Sequence, residues 1–193
     1  MIFAIARETA TADLTDDGRQ WGDGAMCRTI LTAGRLDMPD EVGHRGEVPR
    51  FVNLGERSRV MARRWGRGGL GIEWMDMTLG VTSKSTDTRM TYVSIDRAEM
   101  LRGFADDLAT RLCAIPMYGC RWRSGDEWTK VEPGWALGFF DDGHGFLIAA
   151  VVDDGGPRPV VADWPETREW LLSEKWEQMR LLRAAADRPM MDA

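Results

Sequence analysis

The chain has 193 residues, of which 44% are hydrophobic and 29% are charged, and this globular composition excludes an intrinsically disordered protein. Its 25 Lys and Arg residues against 31 Asp and Glu residues give a formal net charge of -6. This charge argues against a protein that mainly wraps a nucleic-acid backbone, but an acidic chain can still carry a local basic patch. No apolar run reaches the roughly 18 residues of a membrane-spanning helix, and Met1–Ala6 is too short for a signal peptide, so we expect a soluble, cytoplasmic protein without a membrane partner.

The length predicts a single domain over residues 1–193. Residues 1–55 form a loop-rich N-terminal part, in which Ala25–Thr32 and Phe51–Leu54 have the composition of short strands. Residues 56–116 are expected to hold a helix and a first strand-turn-strand-helix unit, and residues 117–187 a β-meander with a C-terminal helix.

The first unit begins after a short helix predicted for residues 56–65, which the following glycines would end. Leu70–Val81 alternates like a strand, with methionines, Leu79 and Val81 on one face and Ile72 and Trp74 on the other. Thr88–Ile95 is a second, β-branched strand. Asp96 and Glu99 have capping-box spacing, so an amphipathic helix is predicted for about 97–113.

The second unit follows three short strands predicted between residues 117 and 140, separated by turns at 124–126 and 133–134. Gly145–Val152 is a continuous apolar run typical of a strand buried on both faces. A return strand, Arg158–Ala162, leads into the capping-box spacing of Asp163 and Glu166 and a helix over about 165–186. The fold class is therefore α+β: an antiparallel meander over about 118–163, with the helices 97–113 and 165–186 on one face. The repeated order suggests a pair of related units, with convergence of common pieces as the alternative.

The three cysteines, Cys27, Cys113 and Cys120, include no C-x-x-C pair, so neither a disulfide framework nor a zinc ribbon is indicated. Reduced, buried thiols are the ordinary interpretation, and a metal site shared with His144 is the alternative. We expect no metal and no cofactor.

The glycine-rich segment from Arg63 to Gly71 matches G-x-G-x-x-G at Gly66, Gly68 and Gly71. Its R-x-x-G-x-G spacing at Arg63, Gly66 and Gly68 resembles the loop with which acetyltransferases of the GNAT family hold a pyrophosphate. The resemblance implies phosphate binding by a small transferase or hydrolase. Both motifs require a strand before and a helix after the loop, whereas here a helix is expected before it and a strand after it. The alternative is a glycine-rich helix stop.

A cluster of arginines surrounds Trp65 in the same segment: Arg57, Arg59, Arg63, Arg64 and Arg67. Such a surface suits phosphate or an acidic protein partner. The alternative is a solvated helix face whose arginines pair with the surplus carboxylates of this chain.

Tryptophans are numerous, nine against two tyrosines, and several alternate with arginines along the predicted meander. If they face outward, Arg121, Arg123, Trp128 and Trp135 would form a hot-spot platform for a partner or a base-stacking surface; if they face inward, the indoles belong to the core. Trp170 falls on the side of the last helix opposite its apolar stripe, so we expect a protein contact or packing against a loop there.

Catalytic signatures are scarce, because G-x-S-x-G, H-E-x-x-H and a P-loop are all absent. Asp141, Asp142 and His144 suit either a small acid-base site or an ordinary turn. We therefore expect a non-enzymatic protein that binds and regulates or inhibits a protein partner. Its partner-binding residues are predicted to be Arg63, Arg64, Arg67, Arg121, Arg123, Trp128, Trp135 and Trp170. The alternatives are the phosphate-binding enzyme with Gly66, Gly68 and Gly71, and a nucleic-acid binder that uses the arginines from 57 to 67.

Overall fold

The computed structural model describes residues 27–32, 50–82, 89–96, 110–122, 129–141, 143–153 and 156–188. The described part has the mixed α+β architecture that the sequence predicts, with one large sheet followed by two helices. In chain order the strands are β1 Cys27–Thr32, β2 Arg50–Asn53, β3 Arg57–Gly66, β4 Gly69–Leu79, β5 Val81–Thr82, β6 Arg89–Met90, β7 Tyr92–Ser94, β8 Leu112–Trp122, β9 Thr129–Phe140, β10 Gly145–Asp153, β11 Gly156–Pro159 and β12 Val161–Ala162, and the helices are α1 Trp164–Leu172 and α2 Lys175–Ala186.

Five strands of the large sheet close into a ring. The order around the ring is β3, β4, β10, β9 and β8, and β8 pairs with β3 again. Four of these pairings are antiparallel, but β4 and β10 are parallel, with Gly145 opposite Thr78, and β10 is also parallel to β7. The strands of the predicted meander do pair antiparallel, β8 with β9, β9 with β10 and β10 with β11, and the parallel pairs join β10 to strands outside the meander. Parallel pairing brings together strands that are far apart in the sequence, which no local pattern indicates.

The ring has two apolar faces, because successive side chains of a strand point to opposite sides. One face carries an apolar cluster that includes no residue of α1 or α2, and this face lies inside the ring. Its side chains include Val60, Met77, Ile115, Phe146 and Ile148. The outer face packs against α1 and α2 through residues including Met61, Leu137, Phe139, Trp170 and Leu182. Both faces of β10 are buried from Phe146 to Ala150, as its continuous apolar run predicts.

The C-terminal region forms two helices where the sequence predicts one over 165–186. Asp163 caps α1 as expected, since its Oδ1 accepts a hydrogen bond from the backbone N–H of Glu166 at 2.9 Å. The helix ends at Ser173, which has an extended backbone and whose hydroxyl donates to the carbonyl oxygen of Trp170 at 2.7 Å. A serine that bonds to its local backbone competes with helix continuation, and α2 restarts at Lys175 with a different phase. No helix in the described part of the chain is long and apolar enough to cross a membrane.

The segment predicted as a helix over 56–65 is strand β3, so this prediction is wrong. Arg57, Ser58, Arg59 and Val60 alternate between exposed and buried, which is the two-residue period of a strand. The strand pairs with β4 along its whole length and with β8 at Met61 and Ala62. These non-local hydrogen bonds override the helix-forming composition of the segment.

Two further boundaries differ from prediction. The three short strands expected between 117 and 140 are two long ones, because β8 runs through Pro116 and β9 runs through the predicted turn at Pro133 and Gly134. The predicted helix over 97–113 is wrong at its C-terminal end, since β8 begins at Leu112. Residues 97–109 of that helix and the turn at 124–126 lie outside the described residues.

Candidate functional site

The glycine-rich segment forms the tight end of the β3–β4 hairpin. Gly66 pairs with Gly69, and Arg67 and Gly68 make the turn between them. Gly69 has φ 102°, in the left-handed region that favours glycine. Because strand β4 starts directly at Gly69, no helix N-terminus lies behind the turn to meet a pyrophosphate. The arrangement that the GNAT-like spacing implies is therefore not present.

The arginines of the hairpin divide between the two faces of β3. Arg57, Arg59 and Arg63 share the outer face with Met61, while Arg64 points to the other side. The Arg59 guanidinium lies 5.8 Å from the centre of the Trp74 ring, and that of Arg63 lies 6.0 Å from the centre of the Trp65 ring. The predicted single cationic helix face is therefore replaced by a stripe in which arginines alternate with aromatic rings.

Arg63 is 7% exposed and joins the hairpin to the helices. Its Nη1 donates to the carbonyl oxygen of Ser173 at 2.8 Å, at the point where α1 ends. Burial lowers the pKa of Arg63 from its ordinary value, and the nearby Glu174 carboxylate acts in the opposite direction. The sequence predicts that Arg63 contacts a partner, whereas the structure places its guanidinium inside the molecule against the end of α1.

Arg64 and Arg67 remain at the surface. Arg64 forms an ion pair with Glu73 on β4, and both side chains are largely exposed. Arg67 is exposed in the turn and has no ion-pair partner among the described residues. Of the three hairpin arginines predicted to bind a partner, Arg67 alone is exposed with its charge uncompensated in this part of the structure.

Two predicted partner-binding tryptophans are buried in the apolar cluster between the outer face of the ring and the two helices. Trp135 and Trp170 are each 1% exposed. Trp135 packs between Trp74 and Trp164, with ring centres 5.8 and 4.8 Å away, and Trp170 meets Phe139 edge-on. The prediction of an exposed Trp170 is wrong because the break at Ser173 separates its helix from α2, so the two segments present different faces to the sheet.

Of the other predicted platform residues, Arg121 lies within the described part of the chain. Arg121 lies in β8, and its backbone is opposite Thr29 of β1. Arg123 and Trp128 lie outside the described residues.

The exposed aromatic side chains of the described residues are Trp65, Trp176 and Phe51, at 63%, 76% and 60%. Trp65 lies beside Arg63, and Trp176 follows only three residues after Ser173, the acceptor of the Arg63 hydrogen bond. Both indoles are therefore within three residues, along the chain, of one end of the Arg63–Ser173 contact. We call Trp65, Arg67 and Trp176 the junction surface. The sequence places Trp65 in the arginine cluster, but only burial identifies Trp65 and Trp176 as exposed.

The remaining candidate sites have structural roles. Asp141 is buried in the β9–β10 turn, where its Oδ1 accepts from the N–H of Gly145 at 2.6 Å, and His144 takes φ 59° beside it. Cys113 and Cys120 lie within the apolar interior of the ring, and burial raises the pKa of the Cys113 thiol. Among the described residues, no group of three His, Cys, Asp or Glu side chains is placed to hold a metal ion.

Comparison with known proteins identifies the fold. No protein-family model matches the chain, and no curated protein does. A crystal structure of a phage-related protein from Bordetella bronchiseptica is similar over 82% of this chain and 88% of its own, with 18% identity and a TM-score of 0.60. A second Bordetella bronchiseptica protein covers 81% of this chain and 93% of its own at 14% identity and TM-score 0.55. A Bacteroides thetaiotaomicron protein covers 81% and 86% at 18% identity and TM-score 0.52. At these identities the likeness establishes a shared α+β fold.

Proposed function

We propose that this chain is a non-enzymatic binding protein that docks a protein partner through the junction surface and thereby regulates or inhibits it. The observation that supports this proposal most directly is the exposure of Trp65 and Trp176, each within three residues along the chain of one end of the buried contact between Arg63 and Ser173. Tryptophan is enriched among the residues that dominate protein interfaces, and a rigid base beneath it lowers the entropic cost of binding.

The charges around the junction favour a protein over a polyanion. Arg63 lies near Glu174, and Arg64 is paired with Glu73. Arg59 lies opposite Asp76 in the β3–β4 register. Much of the positive charge of the arginine cluster is therefore compensated within the molecule. Within the part of the chain that the structure describes, what remains is an aromatic surface beside the uncompensated guanidinium of Arg67. Mixed surfaces of this kind suit the polar rim and aromatic centre of a protein interface.

The test is affinity capture of the tagged full chain from nuclease-treated native lysate, followed by mass spectrometry. A stoichiometric protein should be retained by the native chain and lost with Trp65→Ala and with Trp176→Ala. Phe51→Ala is the matched control, because it removes a similarly exposed ring from β2 and should leave capture intact. Absence of a stoichiometric protein, or equal capture by all variants, would contradict the proposal.

A nucleic-acid ligand is the second candidate. It is favoured by the run from Arg57 to Ile72, which contains five arginines and no Asp or Glu, and by Trp65, whose exposed ring suits base stacking. This function requires affinity that falls steeply between roughly 50 and 200 mM salt. Binding of a labelled single-stranded oligonucleotide, lost with Arg67→Ala and Trp65→Ala, would support it.

The phosphate-binding enzyme has no comparable support, because the loop at Gly66, Gly68 and Gly71 turns from strand to strand.

A further inference from the structure

The end of the β3–β4 hairpin has an unusual combination of charge and bare backbone. Arg64 and Arg67 are both exposed there, and the nearest acidic residue along β4 is Glu73. Three glycines, Gly66, Gly68 and Gly71, lie among them, and a Cβ atom placed on any of these would meet nothing within 4 Å. Neither packing nor a left-handed backbone requires glycine at these three positions, in contrast to Gly69.

The register places Arg64 opposite Gly71 and Gly66 opposite Gly69. Directly paired residues share a face of the hairpin. Between Arg64 and the turn, the strand positions on the face of Arg64 are therefore all glycines, which have no side chain. Trp65 and Leu70 are paired on the opposite face. Glycine inside a strand weakens it and often marks a site where another backbone or a ligand approaches closely.

We infer that this face of the hairpin end, residues 64–71, holds an extended acidic segment of the protein partner. The bare backbone at Gly66 and Gly71 allows the main chain of the segment to approach closely, and its carboxylates meet Arg64 and Arg67. Charge complementarity selects an acidic occupant, because residues 64–71 include Arg64 and Arg67 and no carboxylate, and the guanidinium of Arg67 has no ion-pair partner among the described residues. This inference rests on the proposed function and names the chemistry of the partner segment that lies on the face of the hairpin end opposite Trp65.

A spaced acidic side chain fits this face better than a continuous phosphate backbone. Glu73 already pairs with Arg64, so an incoming anion must compete with it or share the guanidinium. A peptide carboxylate exchanges with the Glu73 carboxylate at little electrostatic cost, because one carboxylate replaces another on the same guanidinium.

The experiment measures fluorescence anisotropy of a labelled peptide of alternating glutamate and serine, titrated with the full chain. Gly66→Val and Gly71→Val should each weaken binding by about tenfold or more, because the added side chains occupy the face where the peptide lies. Valine favours strands, so the melting temperature of both variants should be unchanged or higher. Leu70→Val is the control on the opposite face and should bind normally.

Charge is tested separately from shape. The same peptide with glutamine in place of glutamate should not bind measurably, and Arg67→Gln should weaken binding of the acidic peptide. No binding of the acidic peptide, equal binding of the glutamine peptide, or native affinity in both valine variants would each overturn the inference. Binding of an oligothymidine probe in place of the peptide would overturn the acidic-segment occupant in favour of nucleic acid.

The two proposals fail in different ways. In one case, Trp65→Ala and Trp176→Ala abolish capture of the protein partner, while Gly66→Val and Gly71→Val still capture it and bind the acidic peptide with native affinity. The proposed function then stands and the acidic-segment inference is wrong. If the peptide binds as expected but no protein is captured, the proposed function is wrong and only the affinity of the hairpin end for acidic chains remains.

Discussion

At the scale of single residues, burial decides what an arginine or a cysteine does. Arg63 and Arg67 are four positions apart on one hairpin, yet the first donates to the end of α1 and the second faces solvent. Cys113 lies among apolar side chains inside the ring. The same residue types therefore have structural and surface roles that depend on their place in the fold.

Arg63→Ala is expected to lower the free energy of unfolding by about 1–3 kcal/mol, because it removes a buried hydrogen bond to Ser173 and the packed stem of the side chain. Arg67→Ala is the control and should change it by less than about 0.5 kcal/mol. Urea titration of the two variants measures the difference. Equal stability of both would show that Arg63 does not hold the hairpin to the helices.

The burial of the Cys113 thiol predicts that the protein loses stability in alkaline solution. The pKa of this thiol is raised by burial, so the folded state keeps its proton when the unfolded thiol, with a pKa of about 8.5, loses it. The stabilising contribution is complete below about pH 8.5, and it declines above that by up to about 1.4 kcal/mol per pH unit. Urea midpoints measured from pH 7 to pH 10 should fall, with a smaller slope in Cys113→Ala. Identical slopes would indicate that Cys113 ionises equally in both states.

At the scale of elements, the sequence predicts an element correctly where the contacts that stabilise it are local. It fails where the element depends on pairing with other strands. The Asp163 cap of α1 follows from four consecutive residues and is confirmed. Strand β3 instead depends on β4 and β8, and its composition alone suggested a helix. The helix break at Ser173 lies between these cases, since the serine is visible in the sequence but its buried acceptor role for Arg63 is not.

Asp163→Ala should reduce stability by about 1 kcal/mol, because the N–H of Glu166 loses its acceptor at the first turn of α1. Asp163→Asn should retain most of the stability, since an amide oxygen accepts the same hydrogen bond. Thermal and urea unfolding of the two variants, with the exposed Glu169→Ala as control, provides the measurement. Similar losses in all three would argue against the cap.

At the scale of the whole molecule, closure of the five-stranded ring depends on close approach between strands. Gly138 in β9 is opposite both Cys113 of β8 and Ile148 of β10. A Cβ atom at Gly138 would overlap the carbonyl oxygen of Leu147 on the neighbouring strand. A main-chain atom cannot move aside without disturbing the pairing, so glycine is required there.

Gly138→Ala should therefore cost about 3 kcal/mol or more, or prevent folding in cells. Gly71→Ala adds the same methyl group to a ring strand in open space and should be tolerated. Soluble yield and urea unfolding of the two variants compare them directly. A Gly138→Ala protein as stable as Gly71→Ala would mean that the ring is not closed as described.

The sequence by itself determined the α+β class, the alternation of β4, the burial of β10 on both faces and the cap at Asp163. Each of these depends on hydrophobic period or on contacts within a few residues. The tertiary structure decided the parallel pairing of β10, the strand character of β3 and the identity of the exposed tryptophans. A two-residue period shows which side chains share a face, but it does not show which face another element covers. Trp135 and Trp170 are buried because β9 and α1 pack against each other, and Trp65 is exposed because nothing among the described residues covers the outer face at the hairpin end.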